Sequence, residues 1–342
     1  MIEPEESSWN SLKLLEFPVD QRLISKLKQF AEAAADTDGH PPFSDQSWVD
    51  LASQPLRARV FGAQVHNSDF KPEFKAEDQD EEQTTLVGAA VLTQSGEAPL
   101  LELVVHPNFR NQGVGIFLVM ELERSLGVTE FNRLQAWSHG NHPAAAELAD
   151  RNRFAVVREL RQLRLSTGAP QAQEDQPKTG LPEGLRLRSF VPGQDEQAWL
   201  VVNAAAFAHH PEQGGTTLSD LAARMAEDWF DPAGFLLAVD QDDQILGFHW
   251  TKIHRAAGHP DLGEVYVVGV APQAQGIGLG RAITLAGIEY LRQKNVSSIM
   301  LYVDADNTAA VSLYEKLGFT RWDTDVMYGF RPEQSVKTVK QR

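Results

Sequence analysis

The chain has no cysteine among its 342 residues. Disulfides, thiolate metal sites and a cysteinyl acyl-enzyme are therefore excluded. Positive charge is scarce: 31 Lys and Arg stand against 47 Asp and Glu, a formal net charge of −16. Such a chain is a poor partner for nucleic acid or an anionic membrane. It suits a cationic substrate, although many acidic proteins are simply soluble. No run approaches the ~18 unbroken apolar residues of a membrane span. The start, Met1-Ile2-Glu3-Pro4-Glu5-Glu6, is acidic and is neither a secretory signal nor a transit peptide. A cytoplasmic monomer is expected. The length, with 42% apolar residues, fits two domains with real cores.

What is present is a glycine loop that occurs twice. Residues 107–115 read Pro-Asn-Phe-Arg-Asn-Gln-Gly-Val-Gly and residues 272–280 read Pro-Gln-Ala-Gln-Gly-Ile-Gly-Leu-Gly. One shift of 165 positions carries Gly113 to Gly278, Gly115 to Gly280, Val105 to Val270 and Phe154 to Phe319, without a gap between about 99 and 154. The chain reads as a tandem duplication: a first domain at 1–168, a linker at 169–182, a second domain at 183–331 and a loose tail at 332–342. The polar, proline-containing stretch 169–179 marks the linker, and the acidic run 75–83 an insert between strands.

The residue pattern predicts mixed α/β halves. In the second, strands are expected at 185–190, 235–239, 245–253, 264–270, 298–303 and 319–328, with helices at 194–207, 218–228, 281–293 and 309–317. Asn307 is placed to cap the last helix and Gly318 to stop it. The first half repeats the later part of this order, with strands at 85–92, 100–105, 134–137 and 156–165 and helices at 115–126 and 143–152. Each glycine loop thus follows a strand and opens a helix, where free N–H groups suit a pyrophosphate. A tight turn without ligand is the plain alternative. A dinucleotide fold, with Asp304 as its ribose contact, is the competing ligand-binding reading. Against it, four strands of the domain precede the loop and two follow.

The spacing Gln275-x-x-Gly278-x-Gly280, followed by Asn307-x-x-Ala310-x-x-Leu313-Tyr314-Glu315-x-Leu317-Gly318-Phe319, resembles the GCN5-related N-acetyltransferase (GNAT) superfamily. Arg110-x-x-Gly113-x-Gly115 shares the loop. The resemblance implies two tandem α/β (α+β) domains, each a mixed, largely antiparallel twisted sheet flanked by helices, with acetyl-CoA as co-substrate. It implies a splayed strand at Val268-Gly269-Val270 pairing with the pantetheine arm. Further cofactor contacts would be Gln275-Gly276-Ile277-Gly278-Leu279-Gly280-Arg281 and Asn307-Thr308-Ala309-Ala310-Val311-Ser312. In the first copy they would be Leu103-Val104-Val105 and Asn111-Gln112-Gly113-Val114-Gly115-Ile116.

The copies differ at the chemistry. Glu264 aligns with Pro99, Tyr314 with Ala149 and Gly318 with Arg153. The second domain is therefore expected to be catalytic, and the first to bind acetyl-CoA, or nothing, without turnover. Glu264 is the candidate base for the attacking amine. Tyr314, by the resemblance, is the acid that returns a proton to the CoA thiolate. The plain readings are a strand-end carboxylate and a core tyrosine.

Residues 203–215, 247–252 and 263–270, with Leu301-Tyr302-Val303 and Asp306-Asn307, resemble the mycothiol synthase family of actinobacteria, which is also tandem. That resemblance implies acetylation of the cysteinyl α-amine of Cys-GlcN-Ins, with substrate contacts at Glu212, Lys252, Glu264 and Tyr302. Asp45 would be a further contact where the family usually has glutamate. Glu212 also reads as a solvated loop residue, and Lys252 as a side chain snorkelling from an edge strand. His209, His210, His249, His254 and His259 match no standard metal spacing, and no metal is expected. Two other functions stay open: acetylation of a peptide N-terminus or aminoglycoside, and a tandem acyl-CoA sensor without turnover. A sensor needs neither Glu264 nor Tyr314.

Overall fold

The computed structural model describes residues 12–53, 55–66, 84–95, 98–168, 180–208, 213–255 and 260–332. The acidic run 75–83, the stretch 169–179, Glu212, His209, His210, His259 and the tail from 333 lie outside them. The chain packs as two compact units, one holding residues up to Glu159 and those from Thr324, the other Leu160–Asp323.

The first unit opens with β1 (Lys13–Phe17), α1 (Gln21–Asp38), α2 (Asp45–Ala52) and β2 (Ala58–His66). It continues with β3 (Thr84–Ser95), β4 (Ala98–Val105), α3 (Val114–Leu126), α4 (Val128–Phe131), β5 (Gln135–Ser138) and α5 (Pro143–Arg151). Helix α1 forms because Leu23, Leu27, Phe30, Ala31 and Ala34 fall on one face and are buried. Asp20 caps its start by accepting from the Leu23 N–H, and Gly39 ends it at φ 76°. The strands order as β1-β2-β3-β4-β5, antiparallel except for the parallel pair β4–β5.

The second unit holds β7 (Arg186–Ser189), α6 (Glu196–Ala206), α7 (Leu218–Met225), β8 (Phe235–Val239), β9 (Ile245–His254) and β10 (Leu262–Val270). After these come α8 (Leu279–Gln293), β11 (Ser298–Asp304) and α9 (Thr308–Lys316). Its sheet runs β11-β10-β9-β8-β7, antiparallel except for β10–β11. Trp199 of α6 is fully buried against the rings of Phe235, Phe248 and Trp250, at 5.3–5.9 Å between centroids.

The two remaining strands cross between units. β6 (Phe154–Ser166) starts in the first unit, and from Leu160 to Ser166 it pairs with β11. β12 (Thr320–Phe330) starts in the second unit, and Val326–Gly329 pair with β5. Each sheet is therefore completed by a strand from the other repeat, and the compact units do not divide at the expected 168/183 boundary. The reason is pairing: Leu160–Ser166 of β6 lie beside β11, and Val326–Gly329 of β12 lie beside β5.

Candidate active site

β10 and β11 pair only over Leu262–Val265 with Ser298–Leu301. β10 continues to Val270 and β11 to Asp304, so the two strands part where the glycine loop follows. The expected splayed segment, Val268 to Val270, lies on this stretch. β10 and β9 shift register between Val265 and Val267, which makes Tyr266 the extra residue of a β-bulge that bends the strand. The pairing of β4 with β3 has no such shift.

At the open end, Gly276 and Gly278 take φ of 80° and 85°, with no atom near the position a Cβ would occupy. A side chain there is opposed by backbone strain, not by lack of space. The first turn of α8 then presents N–H groups without helical acceptors. The first copy has the same loop: Asn111 at φ 60° and Gly113 at φ 82°. In both, the side chain three residues before the second of these positions ties the loop to the strand end, Gln275 Nε2 donating to the Val270 carbonyl (3.3 Å) and Arg110 Nε to that of Val105 (3.1 Å). Their charge differs. Arg281 stands in the first turn of α8, where the first copy has Ile116, and Arg110 is occupied by Asp38 through a two-pronged pair at 2.5 and 2.8 Å.

Strand alternation puts Lys252, His254, Glu264, Met300 and Tyr302 on one face of the sheet. Ile253, Val265, Ile299, Leu301 and Val303 face the other way, into a core with Ile288, Leu291 and Tyr314. Glu264 is buried and its Oε2 lies 2.7 Å from His254 Nε2. Lys252 is 7% exposed, which corrects the snorkelling reading: β9 lies between β8 and β10. Its ammonium instead sits 5.0 Å from the Trp229 ring and 5.5 Å from that of Tyr266. Tyr302 is 39% exposed, and its hydroxyl accepts from Gln162 Nε2 (2.9 Å).

Tyr314 lies under the opposite face, edge-on to Phe319, and no contact joins it to Glu264. Burial pushes its phenol up to about 12. It is therefore a neutral donor at physiological pH. Asn307 Oδ1 accepts from the Ala310 N–H, so this side chain caps α9 as expected. Gly318 ends the helix at φ 91°, where the first copy holds Arg153 at φ 60°. Asp45 is exposed in the first turn of α2, in the first unit.

His254 escaped the sequence reading as a partner of Glu264, as did the cage of Trp229 and Tyr266. The period-2 spacing of Lys252 with His254 and Glu264 with Tyr266 was the available signal. His249 is a core residue: Nδ1 bonds the Ile283 carbonyl (2.9 Å), and burial lowers its pKa to about 4. Among the described residues no group of His, Asp or Glu is arranged to hold a metal.

The first unit carries a polar cluster that sequence gave no hint of. His139 bridges Glu102 (Nε2 to Oε1, 2.9 Å) and Asp325 (Nδ1 to Oδ2, 3.1 Å). The Ser44 and Gly140 N–H groups donate to the same two carboxylates. Burial alone lowers the imidazole pKa, but the hydrogen bonds it donates to the two carboxylates overcome that and raise it to about 10.

β10 and β11 thus leave a wedge between two parallel strands with an N–H-rich loop at its mouth. The acetyltransferase (GNAT) family model matches residues 46–153 and again 203–319, and the chain belongs to this family. Curated relatives place it more narrowly, among the mycothiol acetyltransferases, and so as an N-acetyltransferase. It is 54% identical over 330 residues to the mycothiol acetyltransferase of Renibacterium salmoninarum, covering 95% of this chain and 92% of that one. With that of Streptomyces avermitilis it shares 53% identity over 246 residues, 71% of this chain and 76% of the other. Among solved structures, a GCN5-related N-acetyltransferase from Sphaerobacter thermophilus aligns with a TM-score of 0.62 at 21% identity, over 93% and 95% of the two chains. A tandem GNAT protein from the clavulanic acid biosynthesis pathway aligns at 0.61 and 19%, over 93% and 97%. These structures share the tandem fold.

Proposed function

We propose that this chain transfers the acetyl group of acetyl-CoA to the cysteinyl α-amine of Cys-GlcN-Ins, completing mycothiol, by direct attack within a ternary complex. The observation that carries the reading is the buried Glu264 beside the β10–β11 wedge, present in the second repeat and replaced by Pro99 in the first. The mycothiol acetyltransferase names of the relatives supply the substrate.

The loop from Gln275 to Arg281 would hold the pyrophosphate, and the β10 edge at Val268 to Val270 the pantetheine amides. An α-amine has a pKa of about 7.7–8.0, so it needs only modest help to attack as the free base. Nitrogen bonds to the thioester carbonyl carbon, and a backbone N–H of the splayed strand steadies the oxyanion. Glu264 takes the amine proton, the C–S bond breaks, and the Tyr314 hydroxyl protonates the departing thiolate. Lys252 and Tyr302 supply polar contacts to the sugar-inositol part. The first repeat would hold acetyl-CoA through Asn111 to Ile116 less tightly, because it lacks the counterpart of Arg281.

Acetyl transfer is tested with Cys-GlcN-Ins beside free cysteine, glucosamine and a short peptide, with product masses recorded. Turnover confined to Cys-GlcN-Ins, with one acetyl added on nitrogen, is expected. Glu264→Gln should cut kcat about 10²-fold with little change in acetyl-CoA affinity. Preference for the peptide overturns the substrate, and equal loss of turnover and cofactor affinity overturns the role of Glu264.

A further inference from the structure

Glu264 is held in an unusual way for a buried carboxylate. It is 6% exposed, and its partner among the described residues is His254, at 2.7 Å from Oε2. The residue directly opposite it on β9 is Lys252, yet no ion pair joins the two. The lysine ammonium is drawn over the rings of Trp229 and Tyr266. Those rings meet at 5.0 Å between centroids, and the Tyr266 ring is fixed by a hydrogen bond from Arg224 Nε to its hydroxyl (2.9 Å). The other neighbours are engaged elsewhere. Met300 stands opposite Glu264 on β11 and is apolar. Arg164, opposite Met300 on β6, lies 4.1 Å over the Trp322 ring. Arg255 faces Asp261 at 3.5 Å.

The difference between the two available donors matters for a base. An ammonium bonded to a carboxylate stabilises its ionised form and weakens it as a proton acceptor. An imidazole N–H can orient the carboxylate by a single hydrogen bond. The bulge that makes Tyr266 the extra residue of β10 also sets its ring beside Lys252, so one backbone irregularity opens the wedge and occupies the lysine.

We propose that His254 is a positioning residue for acetyl transfer: its Nε2–H holds Oε2 of Glu264 and aims Oε1 at the attacking amine, while Trp229 and Tyr266 keep Lys252 off that carboxylate. This rests on the assignment of Glu264 as the base. His254 does not touch the reacting atoms. It fixes one rotamer of a side chain that otherwise has several, and a misplaced base loses rate without losing cofactor binding.

The test is a pair of substitutions read with and without Glu264. His254→Ala should lower kcat roughly 10- to 100-fold, while KM for acetyl-CoA stays within about twofold of wild type. His254→Gln, whose amide N–H can still donate to Oε2, should recover most of the lost kcat. In a Glu264→Gln background, His254→Ala should cost little more, because the two residues act as one unit. A His254→Ala enzyme with unchanged kcat overturns the proposal, as does an equal loss in both backgrounds or a Gln variant no better than Ala. The same cycle read by thermal unfolding needs no substrate: strictly additive Tm losses overturn the pairing even where the amine is wrongly identified. A wild type inert towards Cys-GlcN-Ins, with non-additive melting, retains the pair and rejects the substrate.

Discussion

Replacing Tyr314 by phenylalanine separates chemistry from packing. The ring sits in the core with Val311, Leu301 and Phe319 and is 9% exposed. Its hydroxyl makes no hydrogen bond among the described residues, so deleting it leaves no partner stranded. Removal of an unpaired hydroxyl with the ring retained should change stability by no more than about 0.5 kcal/mol. Truncation to alanine would cost about 3–5 kcal/mol through the cavity it leaves. The catalytic effect runs the other way. A general acid contributes about 10²–10⁴-fold, so Tyr314→Phe should lower kcat by about 10² or more, equivalent to about 2.7 kcal/mol of barrier. The phenol is raised to about 12, so its donor form is complete below that pH, and any loss of rate between pH 7 and 10 belongs to another group. Because the proposed substrate carries its own thiol, product should be counted by chromatography with mass detection, and stability by urea unfolding. A variant within about threefold of wild-type kcat refutes the general-acid role. A stability loss above about 1.5 kcal/mol refutes the claim that the hydroxyl is structurally idle.

Three further outcomes follow from the same geometry. Gly278→Val places a branched side chain at φ 85°, a strain of about 1–2 kcal/mol; calorimetry should show acetyl-CoA affinity falling at least about tenfold, and unchanged affinity would count against this loop. Because folding raises the His139 pKa to about 10, the stability it gives is complete below its unfolded value of about 6.5 and is lost as pH rises towards 10; wild-type Tm should fall over pH 7–10 relative to His139→Gln, and parallel curves would contradict this. A fragment of residues 158–323 should stay soluble and folded where 183–331 aggregates, since the latter lacks Leu163 and Leu165 beside β11; circular dichroism of both decides it.

Local pattern revealed what local physics controls. The loop glycines, the Asn307 cap and the strand and helix order came from spacing, because φ, capping and amphipathic faces are properties of short segments. Long-range pairing was hidden. Nothing within 154–166 says that its second half pairs with β11, which lies more than a hundred residues on. The bulge at Tyr266 exists only relative to the register of β9. The His254–Glu264 bond depends on a hairpin that brings residues ten apart together. The edge-strand alternative for Lys252 could not be dismissed for the same reason: an apolar strand containing one lysine looks like an edge until its neighbours are known.

The asymmetry of the two repeats is concentrated where acetyl transfer would need it. The second has the bulge, Glu264, Tyr314 and Arg281. The first has a regular β4, then Pro99, Ala149 and Ile116 at the matching positions. The first repeat does bury a carboxylate next to its own wedge, Glu102, whose pairing with Trp137 is the last before β4 and β5 part. That carboxylate is already committed to an imidazolium and to the Ser44 N–H, and through His139 it fastens Asp325 of β12, the strand that arrives from the other repeat. A base needs a carboxylate with no fixed cation upon it; a clasp for a crossing strand is served by one. Each repeat buries a glutamate beside its wedge, and its partner, a half-exposed histidine in one and a buried imidazolium in the other, is the difference that would suit the former to the proposed chemistry and the latter to the fold.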